Sequence, residues 1–191
     1  VKINRVLIGL GFNSSDFNLN DLVEDIEKLR SHLDIYKMHL VGHSLGGMIG
    51  PAYTKKYPNK VISTTLLSTA AFRSVNDQQK LLNIINLIEN EGLNKVIPNL
   101  INRWFTDLFI QQNPNIINKR IEQIKNTPIS VFLNVFRIYA LTEMSAWLAS
   151  IKTPCLIMTG EHDTSCNPEI NKKIAKIIPN SKLEILKNLK H

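Results

Sequence analysis

Apolar residues follow two alternating patterns along the chain. Short runs of aliphatic and β-branched residues, such as Val61–Leu67 and Cys155–Thr159, are typical of strands that are buried on both faces. Between these runs, apolar residues recur every three or four positions, which is the spacing of a helix with one buried face. The first such face comprises Leu22, Val23, Ile26, Leu29 and Leu33. Strands that alternate with helices in this way predict a parallel sheet covered by helices.

The same reading gives the remaining elements of the predicted sheet. The further strands are Arg5–Gly9, a run from Met38 to Val41, and Lys182–Leu186. Three helices are predicted outside the central part of the chain. The first begins at Asn18 or Asn20. The second runs from Leu45 to Lys56, and the third from Pro168 to Ile178. Pro51 falls inside the second helix, where its ring and missing N–H should cost about 3 kcal/mol or kink the helix.

The central part of the chain predicts helices alone. From about Asn76 to Leu148 no strand pattern occurs; an amphipathic run ends near Gly92, and Pro98, Pro114 and Pro128 are each placed where a helix can begin. A helical insertion between strands of a parallel sheet commonly covers the carboxyl ends of the strands, where α/β proteins bind ligands. We therefore predict a lid over residues 75–148, inserted between core segments 1–74 and 149–191.

One short motif carries the candidate chemistry. The run ending at Val41 leads into Gly42-His43-Ser44-Leu45-Gly46, which has the Gly-x-Ser-x-Gly form of a nucleophile elbow. Glycines are needed there because the sharp strand-to-helix turn leaves no room for a Cβ. Ser44 is the candidate nucleophile, and the Leu45 N–H is the candidate donor to an oxyanion.

Two residues further along the chain complete this pattern. Asp163 follows the strand Cys155–Thr159, and His191 follows the strand Lys182–Leu186. A serine hydroxyl needs a neutral imidazole to take its proton, and the imidazole needs a carboxylate to orient it, so Ser44, His191 and Asp163 form a candidate triad. The nearest rivals to Asp163, Glu161 and His162, are expected to shape the loop.

Two other residues are candidates for contacts with a substrate. His43 is interpreted as a packed, hydrogen-bonded neighbour of the nucleophile and not as the catalytic base. Trp104, in the predicted lid, is as typical of packing as of a pocket wall.

The motifs resemble those of the α/β-hydrolase superfamily along essentially the whole chain. Segments 41–47, 160–163 and 189–191 are similar to its nucleophile, acid and histidine motifs, and segments 67–71, 103–106 and 158–163 are similar to the 3-oxoadipate enol-lactonase-like group. The resemblance implies an α/β-hydrolase fold: a mostly parallel sheet with a helical lid, incomplete at both ends. It also implies a second oxyanion donor upstream of Val1 and a helix after His191.

The expected function is hydrolysis of a carboxylic ester or lactone through an acyl-enzyme, without metal or cofactor. The resemblance implies an aspartate nucleophile in the haloalkane dehalogenase and epoxide hydrolase branches of the superfamily. A serine at position 44 therefore disfavours both branches. Other functions that use the same triad stay open. They are C–C bond hydrolysis, acyl transfer, perhydrolysis, and ligand reception with slow turnover. We expect the 191-residue chain itself to be poorly active or unstable, and the function to belong to a longer parent protein.

Composition excludes several other classes. The chain has 23 Lys+Arg and 16 Asp+Glu, a formal net charge of +7, but the lysines are scattered, which indicates a solvated surface and no nucleic-acid partner. Cys155 and Cys166 have neither metal-ligand spacing nor a disulfide framework, so we expect a reduced, cytoplasmic protein. No apolar stretch reaches the ~20 residues that span a bilayer, so no membrane partner is expected. The sequence gives no oligomeric state.

Overall fold

A four-stranded parallel sheet forms the centre of the molecule. The computed structural model describes residues 17–191, so the predicted strand Arg5–Gly9 lies outside the described residues. The strands are β1 (Met38–His43), β2 (Val61–Leu67), β3 (Cys155–Gly160) and β4 (Ser181–Leu186), in the spatial order 1-2-3-4. All three neighbouring pairs are parallel, as the alternation of strand and helix predicts.

Within residues 17–191, three α-helices accompany the strands, and five form the insertion. The helices that accompany the strands are α1 (Leu19–His32), α2 (Gly46–Lys56) and α8 (Pro168–Ile177). The insertion between β2 and β3 contains α3 (Val75–Glu91), α4 (Ile97–Trp104), α5 (Asp107–Gln112), α6 (Pro114–Lys125) and α7 (Ile129–Leu141). Within residues 17–191, no helix combines the length and hydrophobicity needed to cross a bilayer. The fold class is therefore the predicted one, and the helices between β2 and β3 run from Val75 to Leu141; the division into a lid and two core segments stays a prediction.

The start of α1 shows which of the two candidate caps is used. The Asn18 side chain accepts hydrogen bonds from the backbone N–H groups of Asn20 and Asp21, while Asp21 accepts from the Asn18 N–H. This reciprocal capping box satisfies N–H groups that a helix start leaves without partners. The helix is thus fixed at Asn18.

The predicted apolar face of α1 is wrong at its end. Leu33 is 49% exposed, because α1 ends at His32 and the chain turns away. Arg30, which belongs to the same last turn, is buried and forms an ion pair with Glu27 at 2.7 Å. A buried guanidinium is tolerated there because the carboxylate compensates for its lost hydration.

Pro51 does not interrupt α2. The helix continues through this residue to Lys56, and Pro51 is buried. The structure offers no compensating contact that explains its presence, and its energetic cost stays a prediction.

The core between the sheet and the helices is built from large aliphatic side chains. Met48 of α2, Leu66 of β2, Ile157 of β3 and Ile174 of α8 are all fully buried in one cluster. Two further apolar clusters lie within the insertion, which therefore has a core of its own. Burial of this kind is the main favourable contribution to folding.

This core predicts a contrast between two residues of β2. Leu66→Ala should lower the free energy of unfolding by about 2–5 kcal/mol, because Leu66 is fully buried and its removal leaves a cavity. Ile62→Ala should cost about 1 kcal/mol or less, since Ile62 is 46% exposed. Urea unfolding of both variants measures the difference, and equal losses would contradict the assignment of the core.

Candidate active site

The register of the sheet brings the carboxyl ends of its strands to one edge. His43 pairs with Leu67 at the ends of β1 and β2, and Leu67 pairs with Met158 of β3. Gly160, at the end of β3, pairs with Leu186 at the end of β4. The segments that carry Ser44, Asp163 and His191 therefore all leave the sheet at the same edge.

Ser44 occupies a strained turn between β1 and α2. Its φ is 56°, in the left-handed region that residues with a Cβ seldom adopt. A Cβ on Gly42 would lie 2.0 Å from the Gly46 carbonyl oxygen, and one on Gly47 would lie 2.8 Å from the Thr69 Cβ. These glycines let the turn close, and the Ser44 N–H donates to the Leu67 carbonyl at 2.8 Å, which fixes the turn on β2. The geometry is that of a nucleophile elbow.

Asp163 and His191 form a buried pair at the same edge. The distance from His191 Nδ1 to Asp163 Oδ2 is 2.7 Å, and the side chains are 7% and 0% exposed. The other carboxylate oxygen of Asp163 accepts from the N–H groups of Ser165 and Cys166, each at 2.8 Å. Three hydrogen bonds thus hold one carboxylate in a single orientation.

These contacts set the charge of Asp163 and the tautomer of His191. Burial alone would raise the pKa of Asp163, but the hydrogen bond and charge of His191 and the two backbone N–H groups outweigh it and lower the pKa. An ionised carboxylate only accepts hydrogen bonds, so Nδ1 of His191 carries the proton. In the neutral form of the ring, this tautomer leaves the lone pair on Nε2.

A close contact with Gly160 brings His191 to Asp163. A Cβ at Gly160 would lie 2.1 Å from the Lys190 carbonyl oxygen and 2.4 Å from that of Leu189, so only glycine lets this segment pass. The His162 N–H donates to the Leu189 carbonyl at 2.8 Å, and the Glu161 carboxylate accepts from the Asn188 N–H at 3.1 Å. Glu161 and His162 thus shape the loop, as expected, while their own side chains are exposed.

Leu45 is the residue that precedes α2, directly after the turn at Ser44. Its backbone is helical, with φ −56° and ψ −39°, and its carbonyl accepts from the N–H groups of Met48 and Ile49, each at 2.9 Å. The part of the chain that the structure describes provides no acceptor for the Leu45 N–H. A free N–H at a helix start favours negative charge nearby, which is the property an oxyanion donor needs.

His43 packs against His191. The two ring centroids are 4.7 Å apart, with an interplanar angle of 53°. Among residues 17–191, no side chain or backbone group is hydrogen-bonded to the His43 ring, so the hydrogen bond stays a prediction. Desolvation, with the charges of His191 and Arg120, lowers the pKa of His43 to about 4 against the opposing effect of Asp163. His43 is therefore neutral near pH 7.

Trp104 lies at the end of α4, inside the insertion. It is partly buried and packs against both apolar clusters of the insertion. Its ring also lies below the Arg120 guanidinium, 5.1 Å from ring centroid to Cζ. Its direct contacts are thus those of a packing residue and of a platform for Arg120.

A metal site at this edge fits the donor atoms poorly. Asp163, Cys166 and His191 place one potential ligand atom each within 4.8 Å of one another. However, burial raises the pKa of the Cys166 thiol to about 12, so the thiol is protonated, and the Asp163 carboxylate is already engaged in three hydrogen bonds. A cation would have to displace both a proton and these hydrogen bonds.

Several residues that support the site carry no recognisable sequence signal. The Asn171 amide in α8 donates to the carbonyls of Cys166 at 2.7 Å and Asn167 at 3.1 Å, which holds the loop after Asp163. Arg103 of α4 donates to the Ser165 hydroxyl at 2.9 Å, and the Lys190 ammonium donates to the Asn102 carbonyl at 2.8 Å. The insertion is thereby attached to the residues beside Asp163 and His191. The contacts of Arg103 and Lys190 join segments far apart in sequence, so spacing along the chain could not reveal them.

Comparison with known sequences agrees with this geometry. Residues 5–191 match the family described as the alpha/beta hydrolase fold. The chain is 30% identical over 145 residues to 3-oxoadipate enol-lactonase 1 of Acinetobacter baylyi, covering 76% of this chain and 54% of that protein. It is 26% identical to a proline iminopeptidase of Clostridioides difficile, covering 92% of this chain and 67% of that protein. The chain thus spans about half the length of the first of these relatives.

Solved structures share the fold at low sequence identity. The enol-lactonase from Burkholderia xenovorans superposes with a TM-score of 0.81 at 20% identity, over 89% of this chain and 65% of that chain. A hydrolase from Pseudomonas aeruginosa superposes with a TM-score of 0.83 at 22% identity, over 92% of this chain and 65% of that chain. These matches establish a common architecture.

The lowered pKa of His43 predicts how this ring titrates. We expect its imidazole to gain a proton only near pH 4, far below the usual value of about 6.5, since its packed position disfavours the charged form. Because the folded-state pKa is below the unfolded-state value, His43 favours the folded protein above pH 6.5, and this contribution is lost as the pH falls toward 4. NMR titration, with His43→Gln to assign the signal, measures the midpoint; a midpoint at 6 or above would refute the assignment.

Proposed function

Because the chain belongs to the alpha/beta hydrolase fold family, which it matches over residues 5–191, we propose that it is a serine hydrolase that cleaves a carboxylic ester or lactone. The observation that carries this proposal is the buried hydrogen bond of 2.7 Å between Asp163 and His191, at the edge of the sheet where Ser44 occupies a left-handed turn. An imidazole that a carboxylate orients, at the same sheet edge as a serine on such a turn, is the arrangement that activates a hydroxyl nucleophile.

In the proposed reaction, Ser44 attacks the carbonyl carbon of the substrate. His191 Nε2 takes the hydroxyl proton and passes it to the leaving oxygen, which gives an acyl-enzyme and an alcohol. In a lactone the leaving oxygen stays attached to the acyl group. Water, deprotonated by the same imidazole, then cleaves the acyl-enzyme, releases the acid and restores Ser44.

Asp163 and Leu45 have supporting roles in this scheme. The ionised carboxylate of Asp163 stabilises the imidazolium that forms when His191 accepts the proton. The free N–H of Leu45 is positioned to bind the oxyanion of the tetrahedral intermediate. We assign the second oxyanion donor to a segment outside residues 17–191.

We assign the role of a lid to the helical insertion. Its attachment through Arg103 to Ser165 and through Lys190 to Asn102 supports this role, since both contacts lie beside triad residues. A lid in this place would exclude water and shape the pocket.

The names of the relatives favour a lactone among the possible substrates. The 30% identical relative is named an enol-lactonase, whereas the proline iminopeptidase is 26% identical. C–C bond hydrolysis, acyl transfer, perhydrolysis and slow turnover by a ligand receptor are alternatives that use the same triad. No feature of the described site favours any of these alternatives over hydrolysis of an ester or lactone.

The test is steady-state hydrolysis of 3-oxoadipate enol-lactone and of 4-nitrophenyl acetate by the purified, longer parent protein, since the 191-residue chain alone is expected to be poorly active or unstable. Ser44→Ala should abolish turnover of whichever compound the protein hydrolyses, because the nucleophile is lost. Asp163→Asn should lower kcat by about 10⁴-fold, because an amide favours the wrong tautomer of His191. Asp34→Asn, the same change at an exposed residue before the start of β1, is the matched control and should keep kcat near its original value.

The outcomes separate the alternatives. Turnover of the lactone that depends on Ser44 supports a lactonase, and turnover of the aryl ester alone supports the triad but not the lactone. If the folded protein hydrolyses neither compound, the proposed function fails and the receptor alternative becomes the stronger one.

A further inference from the structure

Thr159 is a buried polar residue of β3 to which the proposed reaction gives no role. It lies one residue before the end of the strand, and it is 1% exposed. Its hydroxyl donates a hydrogen bond of 2.6 Å to the carbonyl of Cys166, seven positions further along the chain. This bond closes the loop that carries Asp163 back onto the strand from which the loop starts.

Cys166, which accepts this hydrogen bond, is held from several sides. Its carbonyl also accepts from the Asn171 amide of α8 at 2.7 Å, so that both lone pairs of the oxygen have a donor. Its thiol lies 3.1 Å from the Tyr139 hydroxyl, and the residue is fully buried. Cys166 therefore has little freedom to move relative to β3.

The position of Cys166 matters because its backbone N–H holds the candidate acid. This N–H donates to Asp163 Oδ1 at 2.8 Å, while Asp163 Oδ2 lies 2.7 Å from His191 Nδ1. A carboxylate is planar and rigid, so a rotation that weakens the hydrogen bonds of Oδ1 also moves Oδ2 relative to the imidazole. The orientation of Asp163 toward His191 thus depends on where Cys166 is held.

The two halves of the loop are fixed in different ways. In the first half a backbone hydrogen bond acts, since the His162 N–H donates to the Leu189 carbonyl at 2.8 Å. Side chains hold the second half, and they include Arg103 from α4, Asn171 from α8 and Thr159 from β3. Of these three, only Thr159 belongs to the strand that carries the loop, so its hydroxyl sets the position of the second half relative to the sheet.

We propose that Thr159 is a positioning residue of this site: its hydroxyl, acting through Cys166, orients Asp163 toward His191. The inference rests on the proposed function, since it takes Asp163 and His191 as members of the triad. A side chain that is 1% exposed and bonded to a loop carbonyl does not contact a substrate. Removal of the hydroxyl is therefore expected to act on kcat and not on KM.

The test is steady-state hydrolysis by the longer parent protein of whichever compound it turns over, 3-oxoadipate enol-lactone or 4-nitrophenyl acetate. Thr159→Val keeps the branched shape but removes the hydroxyl, and should lower kcat by about 3–10-fold with little change in KM. Because the Cys166 carbonyl keeps the Asn171 donor, no buried acceptor is left unpaired there, and we expect the variant to fold. Thr159→Ser keeps the hydroxyl and should retain the original kcat.

Thr64→Val is the matched control for a general loss of stability. Thr64 of β2 is fully buried, and its hydroxyl forms a hydrogen bond of 2.7 Å with the Thr54 hydroxyl of α2. It pairs with Cys155 at the start of β3, whereas Thr159 lies near the other end of that strand. Urea unfolding should show a loss of stability in both valine variants, but Thr64→Val should keep kcat. An equal fall of kcat in both variants, or no fall in Thr159→Val, would overturn the proposal.

A spectroscopic measurement keeps this inference separate from the proposed function. The proton on His191 Nδ1 should give a low-field NMR signal, because it is hydrogen-bonded to Asp163; His191→Gln assigns the signal. Thr159→Val should shift or broaden it, whereas Thr159→Ser and Thr64→Val should leave it unchanged. If the protein hydrolyses neither compound, the proposed function fails, and this signal still decides whether Thr159 positions Asp163. An unchanged signal in Thr159→Val would contradict the positioning role.

Discussion

The strained turn at Ser44 is the constraint on which the rest of the site depends. A residue with a Cβ held at φ 56° costs on the order of 1–2 kcal/mol, so the surrounding structure must enforce it. Gly42 and Gly47 do so by allowing contacts that a Cβ would block, with Gly46 and with Thr69 respectively. The turn places the serine beyond the sheet edge and at the start of α2, where free N–H groups are found. The same turn thus sets both the position of Ser44 and the positive electrostatic environment next to it.

A second close approach acts at the other end of the chain. Gly160 lets residues 189 and 190 pass against the end of β3, and this contact brings the His191 ring within 2.7 Å of the Asp163 carboxylate. The N–H groups of Ser165 and Cys166 donate hydrogen bonds to the other oxygen, Oδ1, of the same carboxylate. The Ser165 hydroxyl also accepts a hydrogen bond from the Arg103 guanidinium of α4. The insertion and the loop after Asp163 therefore belong to one hydrogen-bond network.

Much of this arrangement was predictable because it depends on local pattern. Short apolar runs identified β2, β3 and β4, and the order of Ser44, Asp163 and His191 along the chain indicated that all three meet at one edge. Local pattern left the choice between Asn18 and Asn20 open, because either side chain can cap a helix. The structure uses Asn18, through its reciprocal capping box with Asp21, and Leu33 is exposed because α1 ends at His32.

The position of Arg120 could not be predicted from the sequence. On a helix rich in polar residues, a cation is expected to be solvated, and nothing in its neighbours distinguishes it from Lys119. Its position over Trp104 arises from the packing of α6 on α4, which joins residues sixteen positions apart. The same holds for Asn171, whose amide also donates at 3.3 Å to the carbonyl of Thr69, 102 positions away in the sequence.

The central claim is that His191 activates Ser44 as a nucleophile. The most direct measurement is labelling of the purified protein with a fluorophosphonate, followed by mass-spectrometric location of the adduct. We predict one adduct, on Ser44, formed at least about 100-fold more slowly in a His191→Gln variant that keeps the fold. An adduct on another residue, or a labelling rate that does not depend on His191, would contradict the account.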